Sequence, residues 1–212
     1  MNEKFYMLSE EKQQRIIRAG WKVFSRDIYR KCPVGEIAKE ADISKSLLFH
    51  YFRNKRELYL FLLEEAMRQG MCIIDTGAIL QKEDFFEIME TGMEMKLKMM
   101  VHHRELSEFV IMAYYEKDEE VASEIQKWVH KILEQFDGLL FTGIDVSQFR
   151  PGLDLEMMYR EMFWASDGCL RAMLQAGPLD LEKARSVLLR LVNFWRSVYQ
   201  SGEKDISADS RK

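Results

Sequence analysis

The sequence has few residues that interrupt helices. Of its 212 residues only three are proline, at Pro33, Pro151 and Pro178. Each of them stands between periodic segments, where proline commonly marks the boundary of an element. Between these points apolar residues recur mainly at the helical spacing of three and four, and strand-like alternation is scarce. The pattern predicts an all-α protein.

Cysteine and long apolar runs are also scarce. The three cysteines are far apart, odd in number and match no metal-binding spacing, which favours a reducing compartment. No apolar run reaches the roughly 18 residues of a membrane span, and the start MNEKFYMLSEEK is polar. We therefore expect a cytoplasmic protein with no membrane partner.

Motifs of catalytic and cofactor sites are missing as well. The chain has no Gly-rich phosphate loop and no nucleophile elbow. A helical carboxylate metalloenzyme would need glutamate three residues before an inward-facing histidine. The residues three before its histidines are instead Leu47, Met99, Met100 and Lys127, before His50, His102, His103 and His130. We expect no enzyme, no cofactor and no metal site.

Charge is divided unevenly along the chain. Residues 1–56 hold 13 Lys and Arg against 7 Asp and Glu, a net charge of +6, whereas the remainder is −10. A basic head on an acidic body is typical of proteins that bind a polyanion through the head. The alternative is a helical adaptor whose basic head binds acidic partners rather than a specific DNA site.

Residues 34–59 explain what the head binds. A short helix over VGEIAKEA is followed by Asp42 and then by Ser44, which is a good N-cap for a second short helix. In that helix Leu48 and Phe52 share one face, with Leu47 and Tyr51 beside them. The other face carries Lys45, Ser46, Phe49 and His50. Two short helices at a tight turn, the second with a basic and aromatic outer face, predict a helix-turn-helix.

The run EIAKEADISKSLLFHYFRNKRELY resembles the DNA-binding domain of the tetracycline-repressor (TetR) family of bacterial regulators. The resemblance covers about the first 60 residues. It implies an N-terminal three-helix DNA-binding domain at 1–54, a larger helical effector-binding and dimerisation domain at 55–200, and a disordered tail at 201–212. Asp42 replaces the family's usual turn glycine, which is tolerable because Asp accepts the left-handed conformation. By position, the DNA contacts would be Ser44, Lys45, Ser46, Phe49, His50, Tyr51 and Lys55.

The body carries no motif of its own. Periodicity predicts helices at 55–74, 84–101, 104–117, 119–140, 154–175 and 180–200. Methionine and aromatic side chains cluster in its middle and make adaptable walls for apolar ligands. The candidate ligand residues are Met89, Met93, Phe109, Met112, Trp128, Phe163 and Asp167. Ordinary core packing is the alternative for each apolar one, and a helix-edge carboxylate is the alternative for Asp167. We expect an apolar, aromatic or cationic effector.

The last two predicted helices carry broad apolar stripes. Stripes wider than one partner helix needs favour a four-helix bundle across a twofold axis, and hence a homodimer. The candidate interface residues are Met158, Met162, Leu188, Leu191, Phe194 and Trp195. Together with the resemblance, these features predict a repressor that a small molecule releases from a palindromic double-stranded DNA operator.

Overall fold

The computed structural model describes residues 3–73, 77, 81–140, 144–177 and 180–202, and for 132–140 the backbone alone. Within these residues all regular secondary structure is helical, apart from one isolated antiparallel bridge between Phe149 and Gln200. The predicted all-α class is therefore confirmed. Most of the predicted tail, residues 203–212, lies outside the described residues.

Ten helices cover most of the described part of the chain. In order they are α1 (Glu3–Tyr6), α2 (Glu10–Phe24), α3 (Val34–Glu40), α4 (Lys45–Tyr51), α5 (Lys55–Ile73), α6 (Phe85–His102), α7 (Arg104–Tyr114), α8 (Ala122–Leu140), α9 (Leu155–Ala176) and α10 (Leu181–Tyr199). Single 3₁₀ turns lie at Tyr29–Lys31 and Val146–Gln148. Asp154 and Asp180 cap α9 and α10 by accepting from the backbone N–H groups of Met157 and Lys183. Both predicted starts follow from these caps.

One predicted boundary differs for a physical reason. The helix expected over 104–117 ends at Tyr114, and the next begins only at Ala122. The Glu116 carboxylate accepts hydrogen bonds from the backbone N–H groups of Lys117 and Asp118, at 2.8 and 2.9 Å. These bonds stabilise a non-helical connection, since a side chain here takes the place of the helical carbonyl acceptors.

The described contacts group the chain into two compact units. Unit 1 comprises residues 1–74 and 99–133, and unit 2 comprises 75–98 and 134–212. Unit 1 thus contains the helix-turn-helix together with α7 and the first part of α8. The predicted functional boundary at residue 54 is a different kind of division and stays a prediction.

Helix α2 is the centre of unit 1. It packs against α3, α5 and α7. Its inner face is buried, including Ile16, Ile17, Val23 and Phe24. The indole N–H of Trp21 donates to the Leu62 carbonyl of α5 at 3.0 Å. This buried hydrogen bond fixes the position of α2 along α5, because an unpaired indole N–H would be costly there.

Glycine at position 20 permits the close approach of α2 to α5. A Cβ atom placed on Gly20 would lie 2.4 Å from Cδ1 of Leu62, well inside van der Waals contact. Leu62 is itself fully buried and has little room to move. Any larger residue at this crossing would force the buried Leu62 side chain to move.

We expect Gly20→Ala to destabilise unit 1 by about 1–3 kcal/mol, the usual cost of overpacking a core. The matched control is Gly35→Ala, at an exposed helical position where an added Cβ meets nothing within 4 Å. That change should be neutral or stabilise by up to about 1 kcal/mol, because alanine loses less backbone entropy on folding. Urea denaturation measures both, and equal midpoints for the two variants would contradict the close α2–α5 crossing.

Unit 2 is built around α9, α10 and the first part of α6. Phe85 and Phe149 meet edge to face with ring centroids 5.1 Å apart. Arg196 of α10 donates to Asp84 at 2.8 Å and its guanidinium lies 5.0 Å from the centre of the Phe86 ring. The start of α6 is therefore held to α10 by a charge pair and by a cation–π contact. Among the described helices none has the length and apolarity that crossing a membrane requires.

Candidate nucleic-acid interface and internal sites

The turn before α4 has the geometry of a helix-turn-helix. Asp42 adopts the left-handed conformation, with φ at 54°, which confirms that it serves in place of glycine. The Ser44 hydroxyl accepts from the Leu47 backbone N–H at 3.1 Å and lies 3.0 Å from the Ser46 hydroxyl. The predicted N-cap therefore sets the start of α4.

The two faces of α4 differ in exposure. Leu48 and Phe52 are buried, whereas the side chains of the predicted outer face, Lys45, Ser46, Phe49 and His50, are exposed. Phe49 is 38% exposed, and the Lys45 ammonium lies 5.9 Å from the centre of its ring. Leu47, expected on the packed face, is instead exposed because it lies just past the edge of the contact with the core. An exposed lysine–phenylalanine pair at the start of a capped helix offers both a cation and an apolar edge to a DNA groove.

Tyr51 and Lys55 occupy less open positions than the other predicted DNA contacts. Tyr51 is 7% exposed and its ring packs edge-on against Phe5 of α1, with centroids 6.2 Å apart. The Lys55 ammonium donates to the Arg30 carbonyl at 3.2 Å and lies 4.5 Å from the centre of the Tyr29 ring. Burial lowers the pKa of Lys55. Their phosphate contacts stay predictions, and Lys55 would have to leave the Arg30 carbonyl to make one.

An acidic segment, residues 116–120, is bonded to the 3₁₀ turn that precedes the helix-turn-helix. The Glu116 carboxylate, 8% exposed, accepts from the backbone N–H of Tyr29. The Tyr29 hydroxyl donates to Glu120 at 2.9 Å, and burial together with this bond raises the pKa of Tyr29. Arg30 pairs with Asp118 at 3.0 Å. The 3₁₀ turn that holds Lys55 is thus itself held by the α7–α8 connection.

Arg56, at the start of α5, joins the same network. Its guanidinium donates to the Glu120 carbonyl at 2.6 Å and lies 3.6 Å from the Glu124 carboxylate. Sequence reasoning missed Glu116 and Tyr29, because they are 87 residues apart and no local pattern links them. The acidic run KDEE at residues 117–120 is the only sequence feature that points to this segment.

The predicted ligand residues fall in both units. In unit 1, Phe109 is fully buried against Tyr59, with ring centroids 5.3 Å apart, and Met112 is half-buried. The Trp128 indole N–H is buried with no hydrogen-bond acceptor among the described residues. In unit 2, Met93 is buried, while Met89, Phe163 and Asp167 are half-buried. That these residues line one pocket stays a prediction.

Asp167 has an opposite charge nearby. The Lys96 ammonium of α6 lies 3.9 Å from its carboxylate. A cationic ligand at Asp167 would therefore have to compete with Lys96. Among the described residues, no three His, Cys, Asp or Glu side chains are placed to hold a metal ion.

The predicted dimer residues divide into buried and exposed sets. Met158, Met162, Leu188 and Trp195 lie in the core of unit 2 and have almost no surface to offer a second protomer. We reassign these residues to the protomer core. Phe194 is 59% exposed and Leu191 is half-buried. The outer face of α9 adds Met157 and Trp164, the latter 56% exposed, which the sequence stripe had not singled out.

Comparison with known proteins agrees with this geometry. Residues 16–61, which run from the middle of α2 to the first part of α5, match the profile of the bacterial regulatory proteins, tetR family. The match covers the helix-turn-helix and the helices on either side of it. It identifies this part of the chain as the DNA-binding segment of a transcriptional regulator.

Several known proteins resemble the chain over most of its length. It is 23% identical over 156 residues to the fatty acid metabolism regulator protein of Bacillus subtilis, covering 74% of this chain and 80% of the relative. A TetR-family regulator from Chloroflexus aurantiacus has the same fold, with a TM-score of 0.72 at 19% identity, covering 94% of this chain and 98% of the other. The regulator FadR from Bacillus subtilis, solved in complex with stearoyl-CoA, has a TM-score of 0.66 at 21% identity, covering 84% and 96%.

Lys45→Ala should weaken binding to the preferred DNA site by about 1–3 kcal/mol and change the sequence preference, because Lys45 lies on the exposed face of α4. The control, Lys127→Ala on α8, removes the same charge away from the helix-turn-helix. The Lys127→Ala variant should bind the preferred DNA site as tightly as the wild-type protein does. Binding titrations against DNA selected from a random pool measure both, and equal affinities for the two variants would remove Lys45 from the interface.

Proposed function

We propose that this regulator is a homodimeric, cytoplasmic repressor that an acyl-bearing small molecule releases from a palindromic operator. The proposal rests mainly on the exposed outer face of α4. The 3₁₀ turn that precedes the helix-turn-helix is in addition bonded to the α7–α8 connection. One part of unit 1 is free to meet DNA, and another joins it to helices of the body. Such an arrangement suits a DNA-binding head whose DNA affinity is regulated by a ligand bound at a second site.

The operator is expected to have two half-sites. A twofold dimer presents two copies of α4, which enter successive major grooves when the half-sites lie about 34 Å apart, or a multiple of that distance. Lys45 and Phe49 would read bases, while Ser44, Ser46 and His50 lie at the edges of the same exposed face. Lys55 would add a phosphate contact on leaving the Arg30 carbonyl.

An acyl chain is the effector chemistry that the residues and the relatives favour together. The candidate wall is made of Met, Phe and Trp side chains, which adapt to flexible hydrocarbon. One relative is a fatty acid metabolism regulator protein, and another was solved in complex with the acyl thioester stearoyl-CoA. The cationic alternative loses support because Asp167 already faces the Lys96 ammonium.

Coupling would pass through unit 1. Residues 116–120 accept hydrogen bonds from Tyr29 and Arg56. The Lys55 ammonium makes a cation–π contact with the Tyr29 ring. A ligand that shifts α7 or α8 would therefore move the support of α4. Ligand and DNA would then oppose each other reciprocally. A complete switch needs a difference in ligand affinity between the two states worth about 5.5 kcal/mol.

Stearoyl-CoA should bind the free protein and lower its affinity for the selected operator, because it would favour the state with displaced heads. Coenzyme A without the acyl chain is the control and should do neither. Thermal unfolding reports ligand binding, and fluorescence anisotropy of labelled operator reports release. Stabilisation of the protein with unchanged operator affinity at saturation would contradict the coupling.

The dimer interface is proposed on the exposed apolar faces of α9 and α10. Met157, Trp164, Leu191 and Phe194 would lose their contact with water in a four-helix bundle formed by two copies of α9 and α10. Exposed tryptophan and phenylalanine side chains are the kind that carry most of the energy of such interfaces.

Trp164→Glu combined with Phe194→Glu should convert the dimer to monomers, since two carboxylates would be buried at the interface. Operator affinity should fall roughly 10²- to 10⁴-fold with the loss of linked half-site binding. Val146→Glu is the matched control, because Val146 is also exposed but lies outside α9 and α10. Sedimentation velocity tests the assembly, and an unchanged dimer in the double variant would exclude this interface.

A further inference from the structure

Lys96 is an unusual cation in unit 2. It lies on α6, and its nearest described counter-charge is the Asp167 carboxylate of α9 at 3.9 Å. This distance is too long for a hydrogen bond, which ends near 3.5 Å. Among the described residues the Lys96 ammonium has no hydrogen-bond acceptor. An ammonium carries three N–H donors, and those of Lys96 are available to an acceptor on a ligand.

Lys96 is partly enclosed by protein. Its side chain keeps 38% of its surface accessible, so a molecule that arrives from solvent can reach it. Burial among protein atoms lowers the pKa of its ammonium. Lys98, two residues along the same helix, is simply exposed and shows that α6 has a solvent face as well.

Apolar side chains flank this cation on its own helix. Met93 and Met100 are buried three and four residues from Lys96, and Met89 lies one turn beyond Met93. On α9, Phe163 lies one turn before Asp167. A charge beside apolar side chains is screened less by water than a charge on an open surface, and attracts an opposite charge more strongly. The arrangement suits a molecule with an acidic end and a hydrocarbon tail.

We propose that Lys96 binds the acidic headgroup of an amphiphilic effector, and that Asp167 positions the ammonium before the effector arrives. The inference rests on the proposed function, since it names the chemistry of the effector at that site. An anionic oxygen supplies the acceptor that the ammonium lacks. The acid can be the carboxylate of a free fatty acid or a phosphate of an acyl thioester of coenzyme A.

The test compares three probes on the full-length protein: dodecanoate, dodecanol and stearoyl-CoA. Dodecanoate and dodecanol share a chain length and differ in the charge of the head. Lys96→Met removes the charge at nearly constant length, and Lys98→Met is the matched control on the exposed face of α6. Isothermal titration gives the affinities, and release of the selected operator gives the function.

Lys96→Met should weaken the binding of the acidic probe by roughly tenfold to a hundredfold, the range of a charged hydrogen bond, while changing dodecanol binding less than about twofold. Lys98→Met should leave all three affinities unchanged. Lys96→Arg should restore much of the affinity for the acid. A loss confined to dodecanoate assigns the carboxylate as the source, and a loss confined to stearoyl-CoA assigns the phosphates.

If Lys96→Met unfolds because the Asp167 carboxylate loses the neighbouring Lys96 charge, the double variant Lys96→Met with Asp167→Asn keeps the test available. The inference is overturned if dodecanol binds the wild-type protein as tightly as dodecanoate and Lys96→Met changes no affinity, even where operator release persists. It is overturned together with the effector class if no probe binds. Binding that depends on Lys96 without operator release would leave the headgroup site standing and remove the proposed regulation.

Discussion

The buried Glu116 carboxylate is the contact on which the DNA-binding half of the molecule depends. Its two oxygens accept from the backbone of Tyr29, Lys117 and Asp118. It therefore ends α7, shapes the connection to α8 and fixes the 3₁₀ turn after α2. A buried carboxylate that satisfies several backbone N–H groups is costly to remove, because each donor left without an acceptor costs about 1–3 kcal/mol. Few single residues in the described chain join as many elements.

The aromatic cluster beside Glu116 extends this constraint to α5. Tyr29 packs edge-on against Tyr59 of α5, with centroids 5.1 Å apart, and carries the Lys55 ammonium on its ring. Phe24 and Phe109 complete the cluster from α2 and α7. A close-packed aromatic core transmits displacement rather than absorbing it. Movement of α7 or α8 would therefore alter the position of α5 and of Lys55 at its start.

Unit 2 contrasts with this dense core. Its polar groups include an ion pair that lies too far apart for a hydrogen bond, and its helices α9 and α10 expose tryptophan and phenylalanine. Exposed aromatic side chains on neighbouring helices are typical of an interaction surface. In the proposed dimer these side chains would be buried, and the proposed acidic effector would give Lys96 a hydrogen-bond acceptor. Binding of either kind would stabilise the folded protein.

The sequence by itself determined the local features. Ser44 caps α4 as predicted, and Asp42 takes the left-handed turn. The helices predicted to start at 154 and 180 begin one residue later, with Asp154 and Asp180 as their caps. Caps and turns depend on residues only a few positions apart. The helix-turn-helix and its exposed face followed from that local chemistry. Only the tertiary structure decided which side of each apolar stripe faces inward: Met158 and Trp195 proved to be core, and Trp164 surface. It also decided that Asp167 faces Lys96 and that Glu116 reaches Tyr29, since contacts between residues 71 and 87 positions apart depend on how helices pack and not on any local pattern.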